Sequence, residues 1–576
     1  MRIKIFLSTL VLIIQSYQFT TAQEPVLMDG FPIIIHESTF LTAFKQGITI
    51  MDVTGDGNSE LIFSISNKVF IYDYLGNPFP GWPYISEENE YFTNTPAVGD
   101  IDGDGAVEIV ASSVALETYS DKVLALNLDG SIVENFPIMT LGGAGHLTLY
   151  DLDHDDDLEI IYGGIQLSPD TTWTINVFRG DGSLFPGWPV AGIYPGDFAI
   201  GDIDNDSQPE IVVSGWTNDA EHLWAFEADA SLMAGFPVSM GYDFAGAGPP
   251  VLFDADGNGF LEIGLLFRDW VSYDGGLLAV FDYQGNILNG WPLTVDSCPV
   301  AGVSPVFCRL RSELLFSFGG MEPDNAYLTD YYGEIIPYWP VDMGDSNDIA
   351  VNYDQPTIGD IDNDGSVDFL FNLNMAVLDS NGIWRGRVNA YNYYGEELEY
   401  FPLMVPGGTF PGGISLGDID NDGIVEMVFQ TDYPTSGRPI QRIFVYKLTG
   451  VPYIEERFPW PMSCHDPQHT NNLNFRMPTS VNDGKTPNLP SAITLTNYPN
   501  PFNSSTVIEY AVEEKGEVQL EIYNLLGQRV SILVDDEVLT GKHSVRWNAD
   551  RFSSGIYFSV LKTGDVKHTR RMVLLK

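Results

Sequence analysis

The chain has 576 residues and 79 acidic against 27 basic side chains, a formal charge of −52. That length exceeds what one hydrophobic core fills and calls for several domains or a repeat array. The acidity repels phosphate backbones and argues against a nucleic-acid partner. At 44% hydrophobic and only 18% charged, the chain is not a disordered acidic tail, and three cysteines exclude a disulfide scaffold.

Residues 1–22 read as a signal peptide. Arg2 and Lys4 give the positive start, and Ile5 to Ile14 form an apolar run broken by Ser8 and Thr9, too short to span a bilayer. Thr20 and Ala22 are small residues suited to cleavage, which leaves a chain from Gln23. No later stretch reaches 18 apolar residues, so no transmembrane segment is expected in the mature protein.

From there an internal repeat dominates. An acidic loop running into an apolar strand starts at Asp52, Asp100, Asp151, Asp202, Asp254, Asp360 and Asp418, at spacings of 48, 51, 51, 52, 106 and 58 residues. The 106 is two periods, and between them CRLRSELLFSF keeps Glu313 and the apolar run but has lost the acidic loop. Each loop is followed by an aromatic strand, a turn and a Trp-Pro or Phe-Pro step, from IYDYLGNPFPGWP near Gly76 to YKLTGVPYIEERFPWP in the last copy. Eight copies of about four short strands each predict the blades of an all-β propeller of seven or eight blades, eight preferred. The Trp-Pro aromatics are expected to pack between blades rather than to form sugar platforms.

Oxygen-bearing side chains recur at loop positions 1, 3, 5 and 9, usually with Gly at 6. The sets are Asp52, Thr54, Asp56 and Glu60; Asp100, Asp102, Asp104 and Glu108; Asp151, Asp153, Asp155 and Glu159; Asp202, Asp204, Asp206 and Glu210. They continue as Asp254, Asp256, Asn258 and Glu262; Asp360, Asp362, Asp364 and Asp368; and Asp418, Asp420, Asp422 and Glu426. Hard oxygen donors at alternate positions suit Ca²⁺, with up to seven sites. An EF-hand is excluded, because it needs a bidentate Glu at position 12, where Phe63, Ala111, Tyr162, Val213, Leu265, Phe371 and Phe429 stand. Asp, Asn and Gly also make good turns, but 26 carboxylates at the 28 ligand positions favour ion sites, since without a cation they repel one another. Thr54 and Asn258 each weaken their site by one charge.

These units resemble the FG-GAP (VCBS-type) repeats of integrin α-subunit propellers and many bacterial surface proteins, over roughly residues 30 to 470. The resemblance implies calcium bound by the loop carboxylates of a seven- or eight-bladed propeller. The integrins' role in ligand binding does not transfer with it.

The organisation expected is a propeller over 23–470, a linker over 471–487 and a separate domain over 488–576. The last 89 residues hold ten basic and ten acidic side chains, so the net charge belongs to the part before. Alternating runs such as VQLEIYNLL and GIYFSVL suit a small Ig-like β-sandwich. NYPNPFNSST, VQLEIYNLLGQRV, GKHSVRW, SSGIYF and the ending TRRMVLLK resemble, in order, the type A C-terminal sorting domain of the type IX secretion system. That resemblance implies passage across the outer membrane through the type IX machinery, and a cell-surface or extracellular location.

Three other features carry less. Gly413-Ile-Ser415-Leu-Gly417 matches a hydrolase nucleophile pattern but occupies the strand entering an acidic loop, with no helix after it. Cys464, His465, Asp466 and His469 could hold a transition metal, although a strap after the final blade is favoured. Cys298 and Cys308 could pair. The function expected is a non-enzymatic protein or glycan binding or adhesion module. The alternative is a polysaccharide lyase or glycoside hydrolase built on a calcium propeller.

Overall fold

The computed structural model describes residues 23–36, 47–473 and 495–576, with internal exceptions. These are 88–89, 93, 116–119, 142–146, 167–171, 218–219, 242–243, 246–247, 256, 270–275, 296–304, 311–312, 320–324, 344–354, 379–383, 410–412, 434–439, 499–501, 503–504, 513–515, 525–527, 539–540, 550, 564–565 and 575. The expected signal peptide and Cys298 lie outside the described residues. The chain forms two compact units, Met1–Val481 and Asn482–Lys576. Among the described residues the only helix is a 3₁₀ turn at Glu455–Arg457.

The first unit is a succession of antiparallel sheets, most of them four-stranded. One copy shows the pattern: Tyr194–Gly201, Glu210–Trp216, Glu221–Phe226 and Val238–Gly241 pair in chain order. Ile211, Val212 and Val213 are all fully buried. A strand covered on both faces reads as a continuous apolar run instead of alternating, which is why each acidic loop leads into a run such as EIVV.

The cores lie between successive copies. Ile62, Ile71 and Trp82 of the first pack with Val98, Ile109 and Leu124 of the second, and Val212 and Leu223 of the fourth pack with Ile263 and Phe281 of the fifth. The succession returns to its start, because Ile50, Leu61 and Phe63 share a cluster with Ile419, Val428 and Ile443 of the last copy. Thr49 Oγ1 donates to Pro96 O, Thr357 Oγ1 to Ile414 O and Ser415 Oγ to Ile48 O, so innermost strands are tied from copy to copy and from last to first. This is a propeller-like arrangement in which no sheet buries both of its faces without a neighbour.

The outer edge of the last sheet departs from the sequence expectation. Ile33–His36 pairs with Ile440–Pro452, and Val26–Leu27 extends the same edge. The N-terminal segment, whose Asp29-Gly-Phe-Pro32 repeats the end of the aromatic unit, thus completes the last copy. The FPWP at residues 458–461, assigned to that role from sequence, instead begins a strap.

The strap follows the last sheet and takes up the free edges of the inner strands. Leu416 N donates to Pro461 O, Ile358 N to Trp460 O, Val98 N to Pro467 O, Leu149 N to Gln468 O, Ile200 N to Thr470 O and Leu252 N to Asn471 O. Trp460, His465, Asp466, His469 and Thr470 are all buried. The strap runs beyond residue 470, since Asn472 Nδ2 donates to Ile200 O and Leu473 N to Leu252 O.

Indole N–H groups of the Trp-Pro steps reach the next copy's turn: Trp82 to Leu128 O, Trp188 to Ala228 O, Trp291 to Tyr331 O and Trp339 to Tyr393 O, at 2.8–3.0 Å. These rings are packing elements. The copy without an acidic loop still forms its sheet, from Val306–Leu310, Glu313–Gly319, Asn325–Asp330 and Val341–Asp342.

The second unit has a three-stranded sheet (Leu495–Tyr498, Ser505–Val512, Gly541–Asn548) and a four-stranded one (Arg529–Val538, Gly516–Asn524, Gly555–Thr563, Val566–Leu574). Ile508, Tyr510 and Trp547 from the first sheet share a core with Leu520, Ile522, Leu561 and Met572 from the second.

Candidate metal centres

The seven acidic loops share one hydrogen-bond pattern. The position-1 carboxylate accepts the backbone N–H of position 6 through Oδ2, at 2.8–3.2 Å, in Asp52, Asp100, Asp151, Asp202, Asp254, Asp360 and Asp418. The position-9 carboxylate accepts the N–H of position 2, at 2.7–3.1 Å, in Glu60, Glu108, Glu159, Glu210, Glu262, Asp368 and Glu426. Position 5 accepts the N–H of position 7, at 2.6–3.1 Å, in Asp56, Asp104, Asp155, Asp206, Asn258, Asp364 and Asp422. The position-9 residue thus spends one oxygen on the turn, while the position-1 Asp spends both in every loop but the sixth, where Asp360 Oδ1 stays unpaired.

Position 6 has positive φ throughout, including Asp156 at 73° and Ser207 at 74° where Gly is usual. Position 4 does too, through Gly55, Gly103, His154, Asn205, Gly257, Asn363 and Asn421. Two left-handed residues per loop reverse the chain twice and bring positions 1 and 3 together, joined by position 9 in four loops and by position 5 in the fourth copy's.

Convergence is tightest in five loops. One oxygen from each residue lies within 4.8 Å of the others in Asp100, Asp102 and Glu108; Asp151, Asp153 and Glu159; Asp202, Asp204 and Asp206; Asp360, Asp362 and Asp368; and Asp418, Asp420 and Glu426. The first loop, with Thr54 at position 3, gives no such group among the described residues. In the fifth loop Asp256 lies outside them.

Several of these oxygens are buried without a hydrogen-bond partner: Asp204 Oδ1, Glu210 Oε1, Asp360 Oδ1 and Asp368 Oδ1. A buried carboxylate oxygen left unpaired is costly. An all-oxygen donor set that is anionic, buried and short of donors fits a hard cation. Burial first, and then the neighbouring carboxylates, push Glu60 up to about 7 and Glu108, Glu159 and Glu210 up to about 8. Without a cation these side chains take up protons instead.

Among the described residues two basic side chains pair with loop carboxylates, and sequence reading missed both; a third, Arg309, donates to the carbonyls of Asp254 and Ala255 in the fifth loop. Arg457 Nη1, on the 3₁₀ turn, sits 3.0 Å from Asp360 Oδ2 and 2.8 Å from Asn363 Oδ1, but the inward oxygens of Asp360 and Asp368 stay unpartnered. Lys447 Nζ lies 2.7 Å from Asp420 Oδ2, 2.7 Å from Asp422 Oδ2 and 2.9 Å from Glu426 Oε1. Asp420 Oδ1 is left over, and Glu426 Oε1, although at ion-pair distance, takes no hydrogen bond. This last loop does not fit a metal ion as the others do, because a cation already stands among its ligands. Its signal in sequence was the residue after the aromatic of the third strand, Lys447 after Tyr446, where the first copy has Asp73 after Tyr72.

The remaining candidates resolve into structure. Ser415 is buried in an inner strand, with its hydroxyl donating to Ile48 O at 2.6 Å. His465 Nδ1 meets Asp466 Oδ2 at 3.1 Å, and His469 Nδ1 meets Leu147 O at 3.1 Å, which places both rings within the strap's own contacts. Cys464 and Cys308 are both buried, and neither is in a disulfide among the described residues.

Residues 52–111 match the FG-GAP-like repeat family, and residues 496–575 match the secretion-system C-terminal sorting domain family. The chain carries an FG-GAP-like repeat and a type IX sorting domain. That tail marks the protein for export to the cell surface or extracellular space, through the type IX machinery. No helix among the described residues is long and apolar enough to cross a membrane. No curated relative matches the sequence. Among solved structures, PorZ, a surface component of the type IX secretion system of Porphyromonas gingivalis, is 11% identical, with a TM-score of 0.21 over 92% of this chain and 75% of that one. The WD40 domain of SCAP from fission yeast is 11% identical, with a TM-score of 0.28 over 69% of this chain and 84% of that one. Scores this low carry no argument about fold or function.

Proposed function

We propose that the protein is an exported, calcium-stabilised propeller of eight blades that acts as a non-enzymatic binding or adhesion module for an extracellular protein or glycan. The propeller, begun at residue 23, is completed by the strap through Leu473, the residues from there to 487 connect it, and the 488–576 tail is an Ig-like sandwich serving export. Calcium would be held by the position 1, 3, 5 and 9 oxygens, for example Asp100, Asp102, Asp104 and Glu108, or Asp202, Asp204, Asp206 and Glu210. It would neutralise the loops and fix the ends of the strands they enter.

The observation that carries the binding reading is the strap. The inner strand edges are where successive copies converge, and residues 460–473 already occupy them with buried, hydrogen-bonded side chains. A catalytic cleft needs convergent polar groups open to a substrate. Outward surfaces and connections between strands remain for a partner. The test is an array of glycans and extracellular proteins probed with calcium-loaded protein, alongside an absorbance assay for unsaturated sugar products. Retention without product is expected. Product from a polysaccharide would replace this reading with the lyase or hydrolase alternative.

A further inference from the structure

One position differs in sign between copies, and in several of them its charge acts on a loop carboxylate. At the equivalent place in the third strand of each copy stand Asp73, Asn127, Arg179, Glu227, Asp282, Asp330, Asn392 and Lys447, six of them directly after an aromatic residue. In the last copy this residue is paired directly across the strands with Glu426, the loop's final ligand. A side chain there reaches the loop from the flank without belonging to it.

In the last copy it fills the loop. The Lys447 ammonium lies 2.7–2.9 Å from oxygens of Asp420, Asp422 and Glu426, which are loop positions 3, 5 and 9. The ammonium donates to Asp420 Oδ2, and the carboxylates of Asp422 and Glu426 stand at ion-pair distance around the same nitrogen. A divalent ion at those oxygens would sit against the ammonium, so the two cannot share the loop. The 202–210 loop has a carboxylate where the last copy has the ammonium: Glu227 stands at the matching strand position and acts on Asp204, Asp206 and Glu210 with the same sign of charge, while Asp204 Oδ1 and Glu210 Oε1 take no hydrogen bond.

We infer that in the 418–426 loop Lys447 takes the place of the metal ion, so that this copy is closed by the chain itself and does not depend on calcium. Its position gives that substitution a consequence. This is the copy in which the beginning of the first unit meets that unit's last sheet: Ile33–His36 pairs on the strand that carries Lys447. Ser59 N of the first loop donates to Ile419 O of the last. The seam of the propeller is thereby held by covalently tethered charge, while the other loops are free to load and unload. The inference rests on the calcium reading of those loops only for its contrast.

The test counts calcium bound at saturation by the full-length protein and by three variants. Asp420→Asn should leave the count unchanged, Asp204→Asn should lower it by about one per chain, and Lys447→Met should raise it by about one. A loss of one ion in Asp420→Asn, or no gain in Lys447→Met, overturns the inference. If Lys447→Met does not fold, mass-mapped amine acylation of the parent decides instead. Lys447 protected equally in EGTA and in calcium supports the inference, and Lys447 made reactive by calcium overturns it. A parent that binds no calcium at all sinks the calcium reading, while the acylation result still judges Lys447.

Discussion

The loops at 202–210 and 418–426 have the same four ligand positions, the same backbone hydrogen bonds and the same buried final glutamate, yet they present opposite electrostatics. In the first, Glu227 on the flanking strand adds negative charge beside Asp204, Asp206 and Glu210. In the second, Lys447 spans three of the carboxylates. The loop motif therefore specifies a cradle for positive charge, and a residue some twenty positions away on the third strand sets whether that charge is a bound ion or a tethered one. A motif count taken alone overstates the number of ion sites.

The largest effect expected is from removing the ions. Ligands that bind only the folded loops stabilise by about 2.7 kcal/mol per site at a hundred times the dissociation constant. Excess EGTA should lower the Tm of metal-loaded protein by many degrees in a calorimetric melt. Regions near 202–210 should become protease-sensitive before the last copy does. Simultaneous loss of both would erase the contrast between the loops.

A second effect concerns pH. In the metal-free protein burial raises Glu60 to about 7 and Glu108, Glu159 and Glu210 to about 8, against about 4.5 when exposed. Between those values the folded state binds more protons than the unfolded one, so stability is present at low pH and is lost as pH rises through 7 to 8. Melts in EGTA should show a lower Tm at pH 8.5 than at pH 6. With saturating calcium the slope should flatten or reverse, because ion binding needs the carboxylates ionised. A metal-free Tm that rises between pH 6 and 8.5 would mean the loops are not the electrostatic burden described.

The third effect grades the flanking position. One unit charge facing a divalent ion from several ångströms is worth about tenfold in affinity. Glu227→Gln should weaken the 202–210 site by about that factor. Arg179→Gln should strengthen the 151–159 site, since Arg179 already acts on Asp153. Calcium titrations of each variant read the shift, and equal affinities would confine the Lys447 effect to direct contact. The smallest effect is Thr54→Ala, in the loop that gathers no tight carboxylate group, where the calcium count should not change.

Much of this was legible in sequence. The loops repeat locally, and their ligand spacing, their glycine turn and the strand that follows are all encoded within a dozen residues. The tail's order of motifs was equally local. What escaped notice depends on partners far apart in the chain. The pairing of Ile33–His36 with Ile440–Pro452 and the strap's return to Val98 or Ile200 follow from closure rather than from composition. Lys447 lies 21 residues after Glu426 and becomes a ligand-site residue only through strand register. Position 4 of the loops was missed for a different reason: its left-handed backbone is met by Gly, Asn or His, so no single letter marks it.

The most direct test of the central claim is the number of calcium ions bound per chain at saturation by the intact secreted protein. Seven loops less the one filled by Lys447 leaves about six, and elemental analysis after exhaustive equilibration in calcium should return that number. A count of seven would put an ion where Lys447 stands, and a count of zero would reduce every loop to a turn.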